Sequence, residues 1–249
     1  MITVDFKQIS VRPGDRILDI GCGSGRHTCA AYGLKEVIVT GADIDIRDVA
    51  EAKNRLMYHD RLGVHGNGQW NLSIADITCL PFKNNSFDMI ICSEVMEHIA
   101  NEAKAAKELA RVLKPGKCLA VSVPRYLPER ICWGLSQDYH LVNAGHIRIY
   151  KKRDLLALFQ KAGFKSRRSH FAHSLHTPYW WLKCLMGPAR EDLLLVNLYK
   201  RFLTWDIMEQ PVITRFLDHL LNPLIGKSLV VYFEKFSCPS EQNRARNSL

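Results

Sequence analysis

The sequence predicts an α/β fold, a mostly parallel sheet with helices on both faces, and three observations carry that prediction. The first is Arg16-Ile17-Leu18-Asp19-Ile20, an apolar run suited to a strand covered on both sides, which enters Gly21-Cys22-Gly23-Ser24-Gly25 without a gap. The second is the recurrence of short apolar runs that reach a polar residue: Val37 to Asp43, Ser73 to Ile77 around Asp76, and Ser86 to Glu94. The third is the helix-compatible sequence between and after them, including the Ala- and Glu-rich segment that ends near Lys114-Pro115-Gly116.

The first strand and its turn point to a ligand. In open α/β sheets ligands bind at the carboxyl ends of the strands. Glycine lets the backbone turn with positive φ and approach a ligand closely. Arg26 to Tyr32 can then start a helix whose first N–H groups face the same ligand. The spacing is G-x-G-x-G, whereas the dinucleotide fingerprint is G-x-G-x-x-G, and this weighs against the alternative of an NAD(P)-dependent oxidoreductase. Asp43 stands where the acidic residue of such folds accepts hydrogen bonds from ribose hydroxyls. Asp76 precedes Leu80-Pro81-Phe82, and the fourth run ends at Ser93 and Glu94.

The segments ILDIGCGSG, GADID, ADITCLPFKNNSFDMIICSEVMEHI and ELARVLKPGKCLAVSVP, in that order over residues 10–125, resemble the class I S-adenosylmethionine-dependent methyltransferases. Within that family they are similar to the methyltransferase type 11 group, which includes quinone-biosynthesis enzymes. The resemblance implies a Rossmann-like, seven-stranded sheet whose last strand is antiparallel, and methylation of oxygen or carbon on a small acceptor. It implies that Asp19 with Gly21, Gly23 and Gly25 holds the methionine part of S-adenosylmethionine, and that Asp43 holds the ribose. It further implies that Ile44 packs on the adenine, that Asp76 and Ile77 read the adenine edge, and that Ser93 belongs to the same site. A sulfonium cofactor carries no phosphate and suits a site with carboxylates and no Walker-type lysine. A cofactor-binding scaffold without catalysis is the alternative from outside enzymology.

Met1 to Lys7 contain no long apolar core and no small-residue cleavage pattern, so a secretory signal peptide is not expected and the cytoplasm is. The eight cysteines, Cys22, Cys29, Cys79, Cys92, Cys118, Cys132, Cys184 and Cys238, form no C-x-x-C pair and read mostly as small fillers of a reduced core. The net charge of +9 permits anionic partners. The basic residues lie in short clusters such as Lys151-Lys152-Arg153 and Lys200-Arg201, with no recognisable nucleic-acid motif, so nucleic acid is not an expected partner.

Glu94-Val95-Met96-Glu97-His98 is expected at a helix start, where spacings of three and four residues bring Glu94, Glu97 and His98 to one face. The two carboxylates favour the positive end of a helix dipole, and His98 can be satisfied by backbone. The same trio could hold a divalent metal, an option supported by a resemblance to family members that methylate hydroxyls using E-x-x-E-H with a later histidine; His140 and His146 are available. A metal is allowed here, not required. His98, His140 and His146 are also the candidates for a catalytic base.

Lys117 to Pro124 reads as the fifth strand, and a loop carrying Arg125, Tyr126, Trp133, Asp138, Tyr139, His140, Asn143, His146 and Arg148 is expected to face the substrate. Asp154 to Gly163 reads as a helix capped near Asp154, and Lys165 to His173 as the sixth strand. The last strand is found at Ser228 to Phe236. The expected organisation is therefore a core at 1–173, a helical insertion at 174–227, the last core strand at 228–237 and a disordered tail at 238–249.

The insertion is aromatic and apolar, with Tyr179, Trp180, Trp181, Phe202, Trp205 and Phe216, and Pro188, Pro211 and Pro223 should divide it into short helices. No window approaches the ~18 apolar residues of a membrane span. Three readings stay open: core helices, a lid over a lipophilic acceptor, or an amphipathic contact with a membrane or a second subunit. Barely a dozen residues precede the first strand, which favours the lid, because methyl transfer needs a cover that excludes water.

Overall fold

Each of the first apolar runs forms a parallel strand. In the computed structural model, which describes residues 2–139, 146–187, 190 and 193–236, β1 (Arg16–Ile20) pairs in parallel with both β2 (Ile38–Asp43) and β4 (Phe87–Ser93). Strand β3 (Gln69–Ile74) lies outside β2, and β5 (Leu113–Pro124) lies outside β4. Strand β7 (Ser228–Lys235) runs antiparallel between β5 and β6 (Phe164–Ala172). The order is β3-β2-β1-β4-β5-β7-β6, a seven-stranded sheet with one reversed strand, as the sequence implied. The chain turns back between β1 and β4, so the carboxyl ends of these strands flank the crevice where such sheets bind ligands.

Side chains of a strand alternate between faces, and neighbouring residues here divide between two apolar layers. Leu18, Ile90 and Val231 join one layer, whereas Ile17, Ile91 and Val230 join the other. Helices α1 (Arg26–Tyr32), α2 (Ile46–Leu62), α3 (Glu102–Val112) and α5 (Lys152–Lys161) contribute to these layers. Asp45 caps α2 by accepting the Arg47 N–H, and Gly63 ends that helix in the left-handed region.

Several local expectations are corrected. Strand β3 stops at Ile74, opposite the last residue of β2, so Asp76 and Ile77 lie beyond the strand and not within it. Glu94 adopts a left-handed φ of 56°, which no α-helix accommodates; Met96–His98 forms a single 3-10 turn, and α3 starts later, where Asn101 accepts the Lys104 N–H. The expected loop after β5 contains helix α4 (Tyr126–Leu135). Lys151 precedes α5 in the cap position and Asp154 lies in its first turn. His140 and the tail at 238–249 lie outside the described residues.

Between β6 and β7 run α6 (His176–Met186), α7 (Leu194–Glu209) and α8 (Val212–Ile225). Pro211 precedes α8, whereas Pro223 sits inside its last turn and does not divide it. Polar contacts tie these helices to the end of β5 and to α4. The Arg125 guanidinium donates to the carbonyls of Asn222 and Pro223, and Trp181 Nε1 donates to Pro128 O at 3.2 Å. Cys132, Tyr139 and Cys184 form a small core between α4 and α6.

Candidate active site

A cavity of about 740 Å³ opens at the carboxyl ends of β1, β2 and β4 and extends to α6, α7 and the start of β7. That is large among ligand pockets, which run to roughly 1,000 Å³. One half is built by the glycine turn and Asp43. The N–H groups of Gly21 and Cys22 donate to Ala42 O at 2.8 and 3.0 Å, which ties the turn to the end of β2. Gly21 and Gly23 have φ of 68° and 50°. A Cβ at Gly21 would meet Val95 at 2.2 Å, whereas one at Gly23 would have nothing within 4 Å and would project into open space on the cavity wall.

Asp43 accepts the Gly23 N–H on Oδ2 at 2.8 Å and the Asp45 N–H on Oδ1 at 3.1 Å. Each oxygen keeps a lone pair, so the carboxylate is fixed in place and can still accept from two hydroxyls. Beside it Ile44 is 71 % exposed on the cavity wall, an apolar side chain placed to cover a flat ring. Asp76 is held by the Thr78 N–H and hydroxyl at 2.7 and 2.9 Å. Ser93 Oγ meets Ser122 Oγ at 2.8 Å, and Ser122 donates to Glu94 Oε1 at 2.9 Å.

The structure thus brings Gly21, Gly23, Asp43, Ile44, Asp76, Ile77 and Ser93 to one cavity. It does not place Asp19 or Gly25 on that wall. Asp19 is buried and accepts the Thr28 hydroxyl at 2.7 Å, locking β1 to α1; burial pushes its carboxyl up to about 6, against the pull of the Thr28 bonds. Gly25 begins α1 with φ of 82°, where a Cβ would meet Ala52 at 2.9 Å. Both residues shape the turn from behind.

The other half of the cavity has a different chemistry. Tyr179, Trp180, Leu203 and Ile207 supply an aromatic and apolar wall, with Lys227 Nζ 4.9 Å above the Trp180 ring. His27, His173 and His176 also line the cavity and were missed in the sequence. Burial and the nearby Arg26 charge pull His27 down to about 4; burial and Lys227 do the same to His176. Both are neutral imidazoles at neutral pH. The i, i+3 spacing of His173 and His176 was a usable signal, but nothing in the sequence joins His27 to them.

Behind His98 lies a buried acid network. Glu97 is fully buried, and neither of its oxygens has a hydrogen-bond partner among the described residues. His146 Nε2 stands 4.0 Å from Glu97 Oε1, and its Nδ1 lies 2.8 Å from Glu129 Oε1. An ionised carboxylate can only accept, so Nδ1 donates to Glu129 while Nε2 faces Glu97. Trp133 and Tyr139 also donate to Glu129, at 3.3 Å each. Burial raises Glu129, but the bonds and charge of His146 and the charge of Lys227 outweigh it and hold the carboxyl below its ordinary range. Glu97 is pushed well up by burial and by neighbouring Glu94.

Among the described residues, Glu97, His98 and His146 place one ligand atom each within 4.8 Å of one another. Glu94, expected in that set, turns away to Ser122 because of its left-handed backbone. The sequence had singled out Trp133, Tyr139 and His146. Their common partner Glu129 was not singled out, because no spacing marks it.

Comparison with known proteins agrees with this geometry. The family described as a methyltransferase domain matches residues 6–168. The chain is 27 % identical over 175 residues to 27-O-demethylrifamycin SV methyltransferase of Amycolatopsis mediterranei, covering 69 % of this chain and 62 % of the relative. It is 36 % identical over 121 residues to 2-phytyl-1,4-naphtoquinone methyltransferase of Synechocystis, covering 46 % and 47 %. It is 33 % identical over 144 residues to cycloartenol-C-24-methyltransferase of Arabidopsis thaliana, covering 57 % and 38 %. The matches span less than two thirds of each of these relatives. A putative methyltransferase from Bacillus halodurans shares the fold at a TM-score of 0.61 and 17 % identity, covering 93 % and 97 % of the two chains. With its sheet order, its G-x-G-x-G turn against Asp43 and a family match over residues 6–168, the chain belongs to the class I S-adenosylmethionine-dependent methyltransferases.

Proposed function

We propose that the protein transfers a methyl group from S-adenosylmethionine to an oxygen or carbon of a small lipophilic acceptor, by SN2 displacement. The observation that carries this reading is one continuous cavity with two chemistries: the Gly23 and Asp43 cradle at one end, and the Tyr179, Trp180, Leu203 and Ile207 wall at the other. The relatives named above, methyltransferases of a demethylrifamycin, of cycloartenol and of a phytyl-naphthoquinone, point the same way.

The residues fit the cofactor. The open cradle at Gly23 leaves room where a Cβ would stand, Asp43 offers acceptors to two hydroxyls, and Ile44 offers an uncovered apolar face. That cofactor supplies an electrophilic methyl group on a sulfonium. The protein's own tasks are to align the nucleophile and exclude water, and residues 174–227 serve as the cover. Of the histidines on the cavity wall, His98 is the one next to the Glu94 end of β4, and it takes the proton of a hydroxyl acceptor, while His146 packs against it from behind. A cytoplasmic location accords with seven described cysteines that are all free.

S-adenosylhomocysteine is expected to raise the melting temperature, with about 2.7 kcal/mol of stabilisation at a hundredfold excess over Kd, and NADH is not. Stabilisation by NADH alone would overturn the cofactor assignment. Labelled methyl transfer into organic extracts of the source cell tests catalysis; cofactor binding with no labelled product would favour a scaffold.

A second reading rests on Glu97. A buried carboxylate without a hydrogen bond is costly, and a divalent cation held by Glu97, His98 and His146 would satisfy it, with Glu129 orienting His146 from behind. One carboxylate with two imidazoles suits Mn²⁺ or Zn²⁺ better than Mg²⁺. On this reading a chelator abolishes methyl transfer, leaves the S-adenosylhomocysteine stabilisation intact, and is reversed by added Mn²⁺. Full activity in chelator would remove the metal and leave His98 acting as a simple base.

A further inference from the structure

The acceptor half of the cavity carries positive charge as well as apolar surface. Lys227 stands in its wall just before β7, on backbone that is firmly held. The Arg125 N–H donates to the Lys227 carbonyl at 2.7 Å, and a Cβ at the preceding Gly226 would meet Asn222 O at 2.6 Å. The residue is half-buried, and its ammonium lies 4.9 Å from the centre of the Trp180 ring. Lys200 joins the same wall from α7. Among the described residues neither ammonium is in an ion pair.

The carboxylates of the cavity lie elsewhere or are already engaged. Asp43 and Asp76 belong to the cofactor half. Glu94 accepts the Ser122 hydroxyl, and Glu129, behind the wall, is held by His146, Trp133 and Tyr139. Lys227 acts on both only through space. The neutral ring of His176, also on this wall, makes no hydrogen bond among the described residues and has one N–H to offer. A neutral lipophilic ligand filling this half would strip water from the Lys227 ammonium and leave it only the Trp180 ring. An anionic oxygen at the same place replaces that water with a charge-assisted hydrogen bond.

We propose that the methyl acceptor carries an anionic oxygen group, a carboxylate or a phosphate, which Lys227 receives with His176 beside it. Its apolar body then lies against Leu203 and Ile207. That the ligand is the methyl acceptor rests on the methyl-transfer reading; that this half of the cavity takes an anion does not. Lys227 is thus a specificity-determining residue, set apart from the proton transfer given to His98.

The test is isothermal titration of naphthoate, naphthyl phosphate and neutral naphthamide into the full chain, with and without saturating S-adenosylhomocysteine. At least one of the two acids should bind about tenfold or more tightly than the amide, less so at high salt, and the tighter of the two names the anionic group. Lys227→Met should bring both acids to within about twofold of the amide, while the affinities for the amide and for S-adenosylhomocysteine stay as in the wild type. Lys227→Arg keeps the charge and should keep the preference. Acids that bind no more tightly than the amide, or not at all at millimolar concentration, overturn the anionic site, as does a preference that survives Lys227→Met. Loss of S-adenosylhomocysteine affinity in a folded Lys227→Met variant would place the lysine on the cofactor and overturn it as well. A preference for acids in a chain that binds no S-adenosylhomocysteine would retain the anionic site and reject the methyltransferase reading.

Discussion

Asp43→Ala is expected to weaken S-adenosylhomocysteine binding by about 1.5–3 kcal/mol, tenfold to about 150-fold in Kd, the scale for losing charge-assisted hydrogen bonds. The geometry gives the reason. The Gly23 and Asp45 N–H groups fix the carboxylate at 2.8 and 3.1 Å, so the acceptors are already oriented before the ligand arrives. Asp43→Asn keeps one acceptor oxygen and should fall between the wild type and the alanine variant. Isothermal titration measures both, with circular dichroism as a control for folding. If folded Asp43→Ala binds with unchanged affinity, the ribose role is wrong and Asp43 is only a fastener of the glycine turn.

Asp19→Asn is expected to stabilise the protein at neutral pH relative to acid pH. Burial raises the folded carboxyl from 3.8 to about 6. Below 3.8 both the folded and unfolded forms are protonated and no penalty exists. As pH rises from there to about 6, the unfolded chain ionises first and stability falls; above that the full cost, about 3 kcal/mol, persists. Asparagine carries no such charge and still offers an oxygen to Thr28. The stability of the variant relative to the wild type should therefore rise by about 2–3 kcal/mol between about pH 4 and about pH 8, read from urea midpoints. A difference that does not change with pH would mean that Asp19 ionises normally in the folded state.

Much of this site was legible because local sequence and ligand geometry coincide. A strand, a glycine turn and a helix N-terminus are contiguous, so Gly21 and Gly23 declare their positive φ directly. Asp43, Asp76 and Ser93 were legible for a related reason. Each lies at or just past the end of a parallel strand, and parallel pairing brings all strand ends to one edge. Asp19, which the resemblance assigns to the cofactor, has its side chain sent inward to Thr28 by the alternation of the strand.

The acceptor side was different. Periodicity predicted a helical face for Glu94, Glu97 and His98, but the left-handed backbone of Glu94 broke that face and replaced it with a group drawn from distant segments, Glu97, His98 and His146. Glu129, the hydrogen-bond partner of His146, comes from a helix that read as loop. His27 reaches the cavity from α1, His173 from just past the end of β6, and His176 from the start of α6. The apolar residues at 174–227 were visible in the sequence, yet composition could not say which of them face inward. Composition counts side chains without direction. By itself the sequence determined the sheet, the glycine turn and the cofactor's strand ends, because these follow from short-range backbone preference and strand periodicity. Only tertiary packing decided that Leu203 and Ile207 line the site while Val212 and Phe216 face outward, because the direction of a helix face is set by what the rest of the chain packs against it.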